Sequence, residues 1–203
     1  MAGSKKLQDL EQRLEQTEQQ LQMLQNISRL MVRKMTLSEL LQEVVALVKG
    51  ATAADSCLIY LHDGDEMVLC ASDSPHPAQI GHIRLKFGEG ITGWVAKERR
   101  MVAISQGANK DPRFRVFHDL PEDAFEAFLS VPVIVRGEVV GVINVQHRQM
   151  HRHTGSELEM MLTAGEQVGC VIVLAEMGEV AYSELHPVSL IHASPPALKP
   201  PRG

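Results

Sequence analysis

The chain has 203 residues, enough for one domain with a proper core plus an extension. Its formal charge of −5 at pH 7 gives no basic footprint for nucleic acid, and Glu98 interrupts the Lys97, Arg99, Arg100 cluster as at a solvated helix end. No apolar run reads as long enough to cross a bilayer, MAGSKKLQDLEQ is neither a signal peptide nor a myristoylation site, and three cysteines with no CxxC pair suit a reducing cytoplasm.

From Lys5 to about Lys34 the chain is rich in Gln and Glu, with no Pro or Gly. Leu7, Leu14 and Leu21 fall at heptad position a, and Leu10, Leu24 and Met31 at d, with Thr17 and Ser28 as weak slots. So narrow a seam needs a partner helix, and a parallel two-stranded coiled coil is expected. The alternative is an amphipathic helix folded back on its own domain. Thr36 and Glu39 form a T-x-x-E capping box for a second helix, whose apolar face is Leu37, Leu40, Leu41, Val44, Val45 and Val48 and which Gly50 should end.

Strands are expected at Ser56–Leu61 and Glu66–Ala71, joined by an Asp63-Gly64 turn, and at His82–Phe87 after a loop. A short helix, Ile91–Arg99, leads to a strand at Met101–Ile104, a long loop at Ser105–Leu120 and a short helix at Pro121–Ala127. Two apolar runs, Leu129–Val135 and Val139–Val145, then flank Arg136-Gly137. Both phases of each run are apolar, so this hairpin should lie inside a sheet covered on both faces. Pro132 should mark a bulge or an unpaired N–H side, and Gly141 a point of close approach. Thr154 and Glu157 form a second capping box, opening a helix to about Glu176. That helix is apolar on two sides: Leu158, Met161, Leu162, Gly165, Val168, Gly169 and Ile172 can cover the sheet. Met160, Ala164, Val171 and Leu174 want a second surface, for which a dimer mate's helix is the candidate. The organisation is thus a helix at 1–35, a domain at 36–177 and a Pro-rich tail at 178–203 with polyproline II character.

The usual chemical motifs are weak. Gly88-Glu89-Gly90-Ile91-Thr92-Gly93 matches GxGxxG, but its helix is too short for a βαβ crossover and Gln106, not an acid, follows the next strand. The exposed amides of that helix start could still meet an anion. Trp94 shares a helix face with Ile91 and Val95 and should pack in the core. The nine histidines include no HExxH; His147, His151 and His153 come nearest to a metal set but lie in a loop with no fourth ligand evident, so surface histidines and no metal are expected. No Ser-His-Asp or Cys-His arrangement stands out.

Three stretches carry a family resemblance: FGEGITGWVAKERRMVAI (Phe87–Ile104), DPRF (Asp111–Phe114) and LSVPVIVRGEVVGVINV (Leu129–Val145). In this order and spacing the chain resembles the GAF domain family from about Leu37 to Glu176. The resemblance implies an α+β, PAS-like fold: an antiparallel sheet of about six strands, terminal helices on one face, and short helices with a long loop forming a small-molecule pocket on the other. Cyclic-nucleotide members carry Asn-Lys, then Phe, then Asp-Glu. Asn109-Lys110, Phe117 and Glu122 fit, but Pro121 stands where the Asp should be, so the bracing ion pair of Lys110 cannot form. Bilin-binding members need a Cys that Phe114–Ser130 lacks. Free methionine sulfoxide reductases share the fold and use clustered cysteines, but their surrounding sequence is not recognisable here.

The expectation is therefore a homodimeric, cytoplasmic, non-enzymatic module. It would bind an unidentified small molecule with Asn109, Lys110, Phe114, Phe117 and Phe128 and relay the state through its flanking helices to a separate output protein. No cofactor is indicated. The competing class is a structural dimerisation domain without ligand. A thiol switch is a further alternative: if Asp63-Gly64 is the two-residue turn, Cys57 falls opposite Cys70, slightly wide of disulfide geometry, and two small apolar residues sharing a buried face is the plainer reading.

Overall fold

The computed structural model describes residues 2–33, 35–73, 79–115 and 125–178. A 30-residue helix, α1 (Ala2–Met31), precedes α2 (Leu37–Thr52), after which the chain lays down β1 (Ser56–Asp63), β2 (Glu66–Ser72), β3 (Arg84–Lys86), α3 (Gly90–Glu98), β4 (Val102–Ile104), β5 (Ala127–Val135), β6 (Glu138–His147) and α4 (Gly155–Gly178). The strands form one six-stranded sheet in the order β3-β2-β1-β6-β5-β4, with every neighbouring pair antiparallel.

The hairpin β5–β6 behaves as its double apolar phase requires. Leu129, Val131, Val133, Ile143 and Val145 join the core under α1, α2 and α4, while Phe128, Val139 and Val142 join a second core under α3. Its turn residues Arg136 (φ +51) and Gly137 (φ +85) are both left-handed, as a type I′ turn demands. β4 pairs only with Phe128–Ser130, so Pro132 sits beyond its reach, where a missing N–H breaks no ladder bond; a bulge follows at Val133/Ile134. Gly141 opposes Leu61 of β1, and a Cβ there would come within 2.7 Å of the Tyr60 carbonyl oxygen. The expected close approach is between the two central strands.

Both capping boxes are formed. The Glu39 N–H donates to Thr36 Oγ1 at 3.2 Å and the Thr36 N–H to Glu39 Oε2 at 2.8 Å; Glu157 and Thr154 do the same at 3.2 and 2.7 Å. Gly50 does not end α2. The helix continues to Thr52, whose hydroxyl donates to the Val48 carbonyl, and the stop is Ala53 at φ +49, donating its N–H to Lys49.

Two expectations about helices need correction. The second stripe of α4 is covered from within the chain: Met160, Ala164 and Val171 share a cluster with Met23, Ile27 and Leu30 of α1, and Gln20 Nε2 donates to Glu159 Oε2 at 3.0 Å. Leu174 alone of that stripe stays exposed, at 53%. Secondly, Gly155–Ala175 is by length and apolarity long enough to cross a membrane. Part of its apolar surface packs on the domain, since Gly165 and Gly169 let α4 lie close over β5 near Pro132 and Val135, while Leu162 and Leu174 stay exposed. The front half of α1 keeps its heptad leucines in solvent: Leu7, Leu10, Leu14 and Leu21 are 52–61% exposed. One end of α1 therefore folds back on the domain and the other end leaves these leucines in solvent. The helix expected at Pro121–Ala127 lies mostly outside the described residues, and Ala127 itself begins β5; the tail from 179 lies outside them altogether.

Candidate functional site

The α3 side of the sheet holds the motif residues. Gly88 (φ +89) and Gly90 (φ +67) supply left-handed turns, and a Cβ on Gly93 would sit 2.2 Å from the Lys86 carbonyl oxygen. The glycine pattern thus serves the tight entry of α3 against β3, which is why it looks like a dinucleotide fingerprint without being one. The start of α3 is already faced by a carboxylate: Glu89 accepts the Lys86 N–H at 2.9 Å and pairs with Arg115.

The DPRF stretch is a brace. The Asp111 carboxylate accepts two guanidinium N–H bonds from Arg113 at 2.8 Å each and the Arg113 backbone N–H at 2.9 Å. These bonds hold Asp111 below the usual carboxylate range, outweighing its partial burial, which acts the other way. Arg113 in turn lies 4.6 Å from the Trp94 ring centroid, so the loop is clamped to α3 by a cation–π contact. Ile91 and Val95 are buried as expected, but Trp94 is only partly so and carries Arg113 on its ring.

Beneath α3 lies a polar chain that sequence reasoning missed. Ser130 Oγ donates to Asn144 Oδ1 at 2.6 Å, and Asn144 Nδ2 donates to Thr92 Oγ1 at 2.8 Å. All three residues are at most 5% exposed. The available signal was a hydroxyl and an amide interrupting two strands that are otherwise apolar in both phases.

Of the residues expected to bind a ligand, Phe128 is buried in the α3-side core and Phe114 packs against the same cluster. Asn109 and Lys110 are instead exposed on a 3-10 turn, Ala108–Lys110, which Glu126 anchors by accepting the Gly107 N–H at 2.9 Å. Phe117, with Pro121 and Glu122, lies outside the described residues. Grooves of about 500 Å³ open elsewhere, between the outer end of β5 (Pro132, Ile134) and α4 (Leu162, Glu166), and further along α4 at Gly169, Cys170 and Val173.

The register argument for Cys57 and Cys70 is corrected. Asp63 pairs with Glu66, so the turn is Gly64-Asp65 with Gly64 at φ +67, and a shift at Ile59/Tyr60 leaves Cys70 without a direct partner on β1. The turn slides by one residue because glycine takes the first central position, as in a type II′ turn. Both thiols sit in the core under α2 and α4. Burial pushes Cys70 up to about 12 and Cys57 higher still, with the Asp73 carboxylate adding to the shift at Cys57.

His147, His151 and His153 are not surface histidines. His147, at the end of β6, is 6% exposed, and His151 and His153 are partly buried. The fourth group that the sequence did not disclose is Glu157, turned back by its capping box so that Oε1 lies 2.7 Å from His151 Nε2. One donor atom from each of the four residues falls within 4.8 Å of every other. Burial, then the neighbouring rings, hold His147 and His153 below the usual imidazole range. The signal in the sequence was the H-x3-H-x-H-x3-E spacing from 147 to 157, split between a strand end, a loop and a helix start.

The GAF domain family model matches residues 36–172. The phosphoenolpyruvate-dependent phosphotransferase system protein of Escherichia coli is 28% identical over 143 residues, covering 70% of this chain, and that of Salmonella typhimurium is 29% identical over 138 residues, covering 67%. The chain spans about a fifth of the length of these relatives, 19% and 18%. Among solved structures, the GAF domain of an Acinetobacter phosphoenolpyruvate-protein phosphotransferase is 30% identical with a TM-score of 0.69, covering 78% of this chain and 96% of that one. The corresponding domain from Coxiella burnetii is 27% identical with a TM-score of 0.73, covering 79% and 96%. A free methionine-R-sulfoxide reductase of Neisseria meningitidis (16% identity, TM-score 0.66, covering 81% and 92%) shares the fold alone.

Proposed function

Because the chain belongs to the GAF domain family, we propose that it is a dimeric, non-enzymatic regulatory module that binds a small molecule and relays the bound state through α1 and α4 to an output partner. The observation that carries this reading is the divided role of α1. Its C-terminal part packs on α4 and shares that helix's core, while its N-terminal part holds four leucines at heptad spacing in water. A shift of α4 on the sheet is therefore transmitted to the same helix that would meet a second copy.

The ligand would lie on the α3 side, between the sheet and the segment that starts at Gly107, with Phe114 and Phe128 in its apolar wall and Asn109 and Lys110 as its polar groups. A mostly apolar site with a few placed polar groups is what small-molecule recognition uses. The likeness to domains of phosphoenolpyruvate-dependent phosphotransferase proteins supports a component of such a system as the output partner. Three free cysteines and the packed role of α4 support a reducing cytoplasm as the setting.

A second reading, a dimerisation domain without ligand, is favoured by Phe128, which at 5% exposure helps fill the α3 side itself. A thermal-shift screen of metabolites on the full chain separates the two. The sensor gives stabilisation that grows with ligand concentration as RT ln(1 + [L]/Kd), and a flat response across the screen leaves the dimerisation reading. The dimer is tested by sedimentation velocity at micromolar concentration. Replacing Leu14 and Leu21 by Lys should shift the chain from dimer to monomer, and a native chain that already sediments as a monomer refutes the assembly.

A further inference from the structure

The four groups His147, His151, His153 and Glu157 converge from three separate elements, and nothing in the regulatory reading uses them. His153 Nε2 is 3.3 Å from the Ile104 carbonyl oxygen, so that nitrogen carries the proton and donates. Its other nitrogen, Nδ1, is then a lone-pair donor, and it is buried with no hydrogen-bond partner among the described residues. His147 Nε2 is buried with no partner among the described residues as well. Buried imidazole nitrogens without partners are uncommon, because each forfeits its hydration with nothing in return. The rings are drawn together as well: His147 stacks on His151 at 3.8 Å between centroids, and His153 stands 5.0 Å from His151.

From this geometry we propose that His147, His151, His153 and Glu157 form a closed, four-ligand site for a divalent transition cation, with Zn²⁺ as the fitting ion. Three neutral imidazoles and one carboxylate are ligands that Zn²⁺ takes in tetrahedral sites. Bonds of about 2.0–2.1 Å put tetrahedral donors about 3.3 Å apart, so donors now within 4.8 Å need to approach by about 1.5 Å at most. The outer partners are in place: the Ile104 carbonyl orients His153, and the Thr154 N–H holds Glu157 Oε2 at 2.7 Å, leaving Oε1 for the ion. Four protein ligands leave no open position, so the ion is structural or regulatory and does no chemistry on a substrate. It would tie the end of β6 to the first turn of α4, the helix that covers β5 and meets α1.

The test uses the purified full chain, stripped with a chelator and titrated with Co²⁺ and then Zn²⁺. One equivalent of Co²⁺ should give the strong visible ligand-field absorption of a tetrahedral site, and Zn²⁺ should abolish it. Glu157→Gln keeps an oxygen for the Thr154 cap but loses the anionic ligand. Alone it should weaken Zn²⁺ binding by about 100-fold or more, beyond what loss of an outer partner costs. Combined with His151→Gln it should remove the Co²⁺ spectrum. A native chain with no such spectrum, or variants that bind as the native chain does, overturns the site. Independently of any variant, one equivalent of Zn²⁺ should move the imidazole NMR signals of three histidines; shifts spread over all nine would mean adventitious binding and also overturn it.

Discussion

Replacing Gly141 by Ala asks whether the two central strands are as tightly joined as the structure states. The new methyl would meet the Tyr60 carbonyl oxygen at 2.7 Å and Leu61 Cδ2 at 3.2 Å. Reaching ordinary contact at 3.4 Å requires β1 and β6 to separate by about 0.7 Å, and the obstacle is backbone, which cannot rotate away. The strands lie between two cores, so the shift strains both. Overpacking of this kind costs about 2–3 kcal/mol. For a domain of this size about 2–4 °C of Tm is lost per kcal/mol, so the midpoint should fall by about 5–10 °C. Gly50→Ala is the internal comparison. Gly50 is exposed within α2 with nothing within 4 Å of its added Cβ, so alanine should stabilise by about 0.5–1 kcal/mol. Calorimetry of the two variants beside the native chain decides the matter. A Gly141→Ala chain that melts with the native one would refute the close approach, and a destabilised Gly50→Ala chain would mean that Gly50 is the left-handed stop of α2 after all.

Asn144→Ala should strand the buried hydroxyls of Ser130 and Thr92, costing about 2–4 kcal/mol in urea unfolding; a loss below about 1 kcal/mol would show that the chain of bonds does not matter. Alkylation of the native chain should label Cys170, which is exposed, and spare buried Cys57 and Cys70, and mild oxidation should yield no Cys57–Cys70 peptide. Recovery of that cross-linked peptide by mass spectrometry would restore the thiol switch.

What the sequence determined by itself is local. A T-x-x-E pair closes its own ring of hydrogen bonds, so Thr36–Glu39 and Thr154–Glu157 cap their helices whatever lies beyond. Two apolar phases in Leu129–Val145 admit only a strand pair buried on both faces. Tertiary structure decided which residues meet across distance. The turn between β1 and β2 slid from Asp63-Gly64 to Gly64-Asp65, and that one-residue step with the bulge at Ile59/Tyr60 removed the Cys57–Cys70 pairing. The apolar side of α4 assigned to a second copy found α1 of the same chain instead, since a stripe states that a surface is needed and not whose. Thr92 and Asn144 are 52 residues apart, and the four donors, though close in the chain, are split between a strand end, a loop and a helix start, so neither the polar chain nor the cluster follows the period of one element. Periodicity and capping act through neighbours in the chain; a site is made where register and packing bring distant elements to the same point.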